Sequence, residues 1–217
     1  MMVSVASLKG GVGKTTTAIH LAGYLQTLAP TLLVDNDPNR SALGWAGRSE
    51  GKLKFKVGSI HEAMKESQKV KHVVIDTKAR PDNEELKTIA DGCDFLVVPT
   101  TPDVMSIEAL MATVGMLKTL HVEKFKVLIT MVPPYPERDG EEARQMLEAN
   151  GFPCFKASIR SAKVFKQAAL DGQLVIDMKS PRAAACWEDY TAVAKEMMAW
   201  HRRQPKESET RSEELTA

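Results

Sequence analysis

A chain of 217 residues, 43% hydrophobic and 26% charged, can bury one sizeable core and has the composition of a globular domain. Its formal net charge of +1 excludes a global basic field, so any nucleic-acid surface has to be a local patch. No run approaches the roughly 18 consecutive apolar residues of a membrane span, and three widely spaced cysteines without a C-x-x-C pair argue against a disulfide framework or a zinc site.

Val3–Ser7 is an apolar run of strand length, and "MMVSVAS" has neither the basic nor the apolar region of an export signal, so a cytoplasmic location is expected. It leads into "KGGVGKTTT", Lys9 to Thr17, and a helical stretch over Lys14–Leu28. A glycine-rich turn between a buried strand and a helix is the context of a phosphate-binding loop. Gly10, Gly11 and Gly13 let the backbone turn tightly and point N–H groups inward, at a helix N-terminus of positive potential. The pattern predicts that Lys14 contacts the β- and γ-phosphates of a nucleotide and that the Thr15 hydroxyl binds Mg²⁺. The motif begins unusually: six positions before Lys14 stands Leu8 rather than glycine, followed by a second lysine, Lys9.

The next strand, Thr31–Asp35, delivers Asp35 and Asp37 to its C-terminal end, the edge where open α/β sheets bind ligands. Spaced i,i+2, one carboxylate could hold a metal-bound water while the other orients an attacking water. An Asp-Asn-Asp-Pro sequence is equally an ordinary solvated turn. "GKLKFKVG", Gly51–Gly58, alternates apolar residues with lysines and predicts a half-exposed edge strand, followed by a short helix Ile60–Glu66. His72–Asp76 ends in a carboxylate in the manner of a Walker B strand, whose aspartate reaches Mg²⁺ through water. "TKARP" is then expected as a loop near the γ-phosphate.

Helical patterns at Asn83–Ala90 and Val104–Leu120 flank a strand at Phe95–Pro99. In the second helix Val104, Ile107, Met111, Val114 and Leu117 fall at helical spacing and are expected to pack on the sheet. A strand at Phe125–Thr130, a helix at Gly140–Ala149 and a weaker strand at Pro153–Ala157 follow. The last helix, Pro181–Arg203, carries Trp187, Tyr190, Val193, Met197 and Trp200 on one face, a core stripe rather than a lipid face. Residues 204–217 are polar, without periodicity, and predict a disordered tail. Buried Val/Ile/Leu strands alternating with helices predict one α/β domain over residues 1–203, a P-loop NTPase fold with a mostly parallel twisted sheet and helices on both faces.

In this order and spacing, "KGGVGKTTT", "VDNDPN" and "VIDT" resemble the ParA/MinD family of deviant Walker A ATPases. "FLVVPTTPDVMSIEAL" and "IRSAKVFKQAALDGQLVID" are similar to the family's strand–loop–helix after the B strand and to its late helix and G-x-x-V turn. The likeness runs from about Val3 to Asp177, and the short chain is most similar to ParF-type members. The resemblance implies Mg-ATP as cofactor, slow ATP hydrolysis, and a homodimer formed on ATP binding. It implies that Lys9 crosses the dimer interface to the other chain's phosphates. Lys9, Gly10, Gly11, Val12, Gly13, Lys14, Thr15 and Thr16 would hold the nucleotide, and Asp37 would position the hydrolytic water. Asp35 and Asp76 would lie near the metal with Thr15, and "TMVPP" would contact the base through Met131 and Pro133.

The resemblance also implies a ParB-like or other adaptor that stimulates hydrolysis, non-specific DNA binding on the nucleoid, and plasmid or chromosome segregation. Positioning a protein compartment such as a carboxysome is the alternative cargo; a small-molecule synthetase or a MinD-like membrane ATPase are alternatives of other classes. The candidate DNA contacts are Lys163, Lys166, Arg182, Arg202 and Arg203, which composition alone reads equally as a solvated helix surface. A nitrogenase-type iron protein would need paired cysteines for its cluster, and Cys93 has no match. Membrane anchoring is not expected, because residues 204–217 set four glutamates against Lys206 and Arg211. "DTKARP" and Met131 depart from the family pattern, which has a Pro- or Gly-rich run and often an asparagine at these places.

Overall fold

A computed structural model describes residues 1–203; the tail expected over 204–217 lies outside them. Six strands rich in Val, Leu and Ile pair in parallel throughout: β1 (Met2–Ser7), β2 (Thr31–Asn36), β3 (Lys56–Ser59), β4 (His72–Ala79), β5 (Phe95–Thr100) and β6 (Phe125–Ile129), in the order β3-β2-β4-β1-β5-β6. The connecting helices are α1 (Lys14–Gln26), α2 (Ser41–Arg48), α3 (Ile60–Glu66), α4 (Asn83–Asp91), α5 (Val104–Thr119), α6 (Asp139–Ala149), α7 (Lys163–Asp171) and α8 (Ala183–Arg203). Parallel strands need such crossovers, which cover both faces and force the strands to be apolar on both sides. On one face Ile19 and Leu25 of α1 and Tyr190, Val193 and Met197 of α8 pack with Val3, Val5, Leu33 and Val74. On the other, Leu86 of α4, Leu110 and Val114 of α5 and Leu147 of α6 pack with Leu96, Val98 and Val127. The α8 stripe is therefore core, and among the described residues no helix is long and apolar enough to cross a membrane.

Several elements differ from the sequence expectation for local reasons. β4 continues three residues past Asp76, so "TKA" is strand rather than loop, with the register against β1 shifting between Val5 and Ser7. Only Lys56 onward of the "GKLKFKVG" stretch pairs, although it is the edge strand. Helix α2 is not in the sequence expectation; Gly44 and Gly47 lower its helix propensity by roughly 1 kcal/mol each. Pro153–Ala157 runs beside β6 with only an isolated bridge at Cys154, since the next carbonyl of β6, that of Ile129, accepts from Ile159 N rather than from Ala157 N. In α5 the buried face is Ile107, Leu110, Thr113, Val114 and Leu117, whereas Val104 and Met111 stay 73% and 41% exposed. The apolar stripe of α5 is wider than the sheet can cover.

Helices α2 and α7 meet closely on the α8 side. Arg48 Nε donates to the Ala169 carbonyl (2.9 Å) and Trp45 Nε1 to that of Gln173 (3.2 Å). Gly172 ends α7 in the left-handed region (φ 65°), and a Cβ there would stand 2.3 Å from Ser49 N. Gly172→Ala is expected to lose about 2–4 kcal/mol of stability in urea unfolding followed by tryptophan fluorescence. Gly47→Ala, where nothing lies within 4 Å of the added carbon, should instead gain roughly 0.5–1 kcal/mol.

Candidate functional site

The loop between β1 and α1 is built for an anion. Gly11 (φ 79°) and Gly13 (φ 83°) adopt left-handed conformations that side chains resist, and Gly13 caps α1 without any side-chain hydrogen bond. The amide groups of the first turn, Lys14 to Thr16, have no helical acceptor, which leaves donors and positive potential for a phosphate. The loop is held from behind: Thr130 Oγ1 reaches the carbonyls of Val12 (2.9 Å) and Thr100 (3.1 Å), fixing it to the ends of β5 and β6. Met131, with φ 54°, sets its Cε 3.7 Å from where a Gly13 Cβ would be, so the "TMVPP" turn does border the loop; Pro133 is half-buried. Thr130 lies in a stretch the sequence singles out, but only the structure shows it clamping the loop.

Lys14 is buried, its ammonium donating to the Lys9 carbonyl at 3.3 Å. Burial lowers its pKa, against the opposing pull of Asp76 and Asp37. Asp76 is fully buried at the centre of the sheet, and neither of its oxygens has a hydrogen-bond partner. Burial pushes its pKa up to about 7; Asp35 and Asp37 reinforce the rise, while the Thr15 hydroxyl and the Lys14 ammonium moderate it. An unsatisfied buried carboxylate is costly unless a cation completes it. Hard oxygen donors from Asp76 and Thr15 suit Mg²⁺, which keeps waters and phosphate oxygens as its other ligands. The residues present therefore fit a phosphate-bound magnesium ion.

The two aspartates after β2 do not form a matched pair. Asp35 is buried and spends both oxygens on backbone, accepting from Asp37 N (3.1 Å) and Leu43 N (2.8 Å). It pins the loop that leads into α2. Asp37 is half-buried, and among the described residues only its Oδ1 is engaged, by the backbone and side-chain nitrogens of Asn39 (both 2.9 Å).

Lys9 turns away from its own loop. Its ammonium donates to Asp103 Oδ1 (3.0 Å) and Ser106 Oγ (2.7 Å) at the start of α5, 94 and 97 residues away in sequence. Asp103 is also the N-cap of α5, accepting from Ser106 N. The Thr101 hydroxyl, the Ser106 hydroxyl and Lys9 hold its carboxyl well below the usual carboxylate range. Asp103 and Ser106 form a D-x-x-S helix start in the sequence, a pattern that carries no sign of their meeting with Lys9.

A second unforeseen residue is His20, fully buried on α1. Val175 N donates to its Nε2 (3.1 Å), so the ring must carry its proton on Nδ1, which donates to the Thr16 carbonyl (2.7 Å). It stacks on Tyr190 at 4.7 Å, and Tyr190 shares a hydrogen bond with Thr17 (3.2 Å). The helix that carries the phosphate residues is thereby fixed to α8 and to the turn after α7. Burial lowers the His20 pKa to about 4. The five candidate DNA contacts are all exposed but are not one patch. Arg182 precedes α8 and Arg202 and Arg203 end it, a helix of 21 residues that rises roughly 30 Å.

Comparison with known proteins agrees with this geometry. The model of the CobQ/CobB/MinD/ParA nucleotide binding domain matches residues 3–175. A maintenance of carboxysome distribution protein A from Gloeobacter kilaueensis is 35% identical over 201 residues, 90% of this chain and 93% of its own. The chromosome-partitioning ATPase Soj of Thermus thermophilus is 30% identical over 136 residues, 61% of this chain and 45% of its own. Among solved structures, an ATP complex of a Cyanothece McdA variant superposes with a TM-score of 0.73 at 19% identity, covering 91% of this chain and 96% of that one.

Two pH-linked outcomes follow. With its pKa raised, Asp76 favours the nucleotide-free fold only when protonated, so stability is lost as pH rises from the ordinary carboxylate range through about 7. Asp76→Asn should therefore stabilise the nucleotide-free protein by roughly 1–3 kcal/mol at pH 8. In thermal unfolding that gain should shrink toward pH 4, while ATP turnover is lost. His20 behaves oppositely: its lowered pKa makes protonation costly, so stability falls as pH drops from 6.5 toward 4. Urea titrations across that window should show about 3 kcal/mol less acid destabilisation in His20→Gln than in the parent.

Proposed function

The chain belongs to the CobQ/CobB/MinD/ParA family, and from that premise we propose a ParA-type positioning ATPase that uses ATP to switch between one chain and two. The observation that carries the reading is Lys9. Lys14 and the loop amides already furnish the contacts a single chain needs for phosphate, and Lys9 is left 30% exposed on a carboxylate of its own α5. An exposed pair of this kind is worth only about 0.5–1 kcal/mol. A charge-assisted contact to a polyphosphate inside a closed, water-poor interface is stronger. Lys9 can therefore leave Asp103 when a second chain presents ATP.

In the proposed reaction the loop amides and Lys14 bind and neutralise the β- and γ-phosphates, and Asp37 orients the attacking water. Thr15 and Asp76 would hold magnesium, which supplies charge neutralisation at the transferred phosphoryl group. Asp35 acts one step removed by fixing the Asp37 loop. Lys9 of the second chain adds positive charge where negative charge develops, so closure and chemistry are linked. For the cargo, similarity along nearly the whole of a carboxysome-distribution protein, against partial coverage of a chromosome-partitioning one, favours a protein compartment over a plasmid. This reverses the order in which the sequence alone ranks the two cargoes. An adaptor on the compartment and non-specific DNA as the track, met by Lys163, Lys166 and Arg182, complete the proposal.

Lys9→Ala should abolish ATP-dependent dimerisation in light scattering and lower turnover by about 100-fold or more; normal dimerisation and turnover would falsify the switch. Asp103→Asn keeps the helix cap but weakens the hold on Lys9, and dimers should then form at roughly two- to fivefold lower protein concentration. Loss of the gene in the source cell should leave compartments clustered with plasmid inheritance unchanged; the converse phenotype would assign the cargo to DNA.

A further inference from the structure

β4 carries a cation to the mouth of the phosphate loop that the nucleotide chemistry above leaves unused. Asp76 pairs with Val5 and Ala79 with Ser7, so Thr77 and Lys78 together stand opposite Ala6. A bulge of this kind, two residues facing one, re-aims a side chain at the end of a strand. The Thr77 hydroxyl braces it by donating to the Val5 carbonyl (2.9 Å), and Arg80 N closes it on the Ser7 carbonyl (3.3 Å). Arg80 makes that bond from the left-handed region (φ 57°), which residues other than glycine adopt at a cost. Ser7 leads into the phosphate loop, its hydroxyl accepting from Lys9 N (3.2 Å). Lys78 is thereby fixed two residues beyond Asp76, beside the start of the loop. Its ammonium pairs with Glu85 Oε1 of α4 (2.5 Å), and the two side chains are 39% and 40% exposed.

We propose that Lys78 is the residue by which a single chain tells ATP from ADP: its ammonium leaves Glu85 and binds the γ-phosphate. The charges around the loop call for such a group. Lys14 is one cation among Asp35, Asp37 and Asp76, and its motif places it on the β- and γ-phosphates together, so it does not by itself set one nucleotide against the other. Lys9 is turned toward α5, which leaves Lys78 as the cation that β4 brings to that edge. A half-exposed lysine–carboxylate pair is weak, and a phosphate oxygen is the stronger acceptor. Release also leaves α4 intact, because Glu85 Oε2 keeps its own donor, Asp82 N (2.9 Å), in the capping box. A surface ion pair requires neither a bulge nor a left-handed arginine, whereas strain of this sort collects where ligands bind. The inference rests on the ATPase reading and adds to it a residue that senses the γ-phosphate.

The test is isothermal titration calorimetry of the full chain with Mg-AMPPNP and with Mg-ADP. All chains carry Lys9→Ala, so that they stay monomeric and report binding within one chain. Lys78→Gln should weaken AMPPNP at least about tenfold and leave ADP within about twofold. Glu85→Gln keeps the capping box but removes the competing charge, so AMPPNP should bind roughly two- to fivefold tighter with ADP unchanged. In the double variant that gain should vanish, because no ammonium is left to release. Equal losses for both nucleotides in Lys78→Gln would make the residue a structural one and overturn the proposal. So would a loss seen only in dimerising chains that retain Lys9, which would place Lys78 on the other chain's nucleotide. A parent chain that binds neither nucleotide overturns the ATP reading and this inference with it, whereas parental binding of AMPPNP by Lys78→Gln overturns the inference alone.

Discussion

Asp76 sits fully buried between Val5 on β1 and Asp35 on β2, with no hydrogen bond to either oxygen, and the rest of the site is arranged around that buried carboxyl group. A lone buried carboxylate opposes folding, and two apolar cores, one on each face of the sheet, must outweigh it. A fully buried leucine contributes about 2 kcal/mol, so a few of the dozens of core residues suffice. Stability is thus spent at one point to create an unsatisfied acceptor next to Lys14 and Thr15. Local strain at a functional centre, supported by packing elsewhere, is the general form of this arrangement.

The other charges are graded by solvent exposure. Lys14 is buried, and burial lowers its pKa, so an added polyanion would stabilise its charged form. Lys9 is partly exposed and tied to a carboxylate that is itself half in water, a contact that competes weakly with phosphate. The two lysines, five positions apart, thus differ sharply in exposure. His20 and Tyr190 tie the far side of α1, the helix bearing Lys14, to the turn after α7 and to α8.

Much of this was legible in the residues. Strands of Val, Leu and Ile between helical periods dictate a parallel α/β sheet, because only that arrangement buries both strand faces. Glycines 11 and 13 take the left-handed conformations that a phosphate loop requires, and Asp76 reaches the end of that loop from the neighbouring strand. The roles of Asp35 and of the α5 stripe were not legible. Asp35 has the spacing of a ligand, yet its oxygens serve the amides of Asp37 and Leu43, an outcome set by how the next loop folds back. Val104 and Met111 have the period of core residues, yet the sheet is too narrow to reach them.

The sequence by itself determined the phosphate loop, the six strands of the sheet and most of the helices, because each depends on residues within a turn or two of one another and on periodicities of the backbone; α2 was not among them. The tertiary structure alone decided that Lys9 rests on Asp103, that Thr130 braces the loop from behind, that five exposed basic residues are not one patch, and that a bulge in β4 sets Lys78 on Glu85. Those facts depend on which faces of distant segments meet, and a chain's local pattern specifies that a face is apolar or charged without specifying what it will touch.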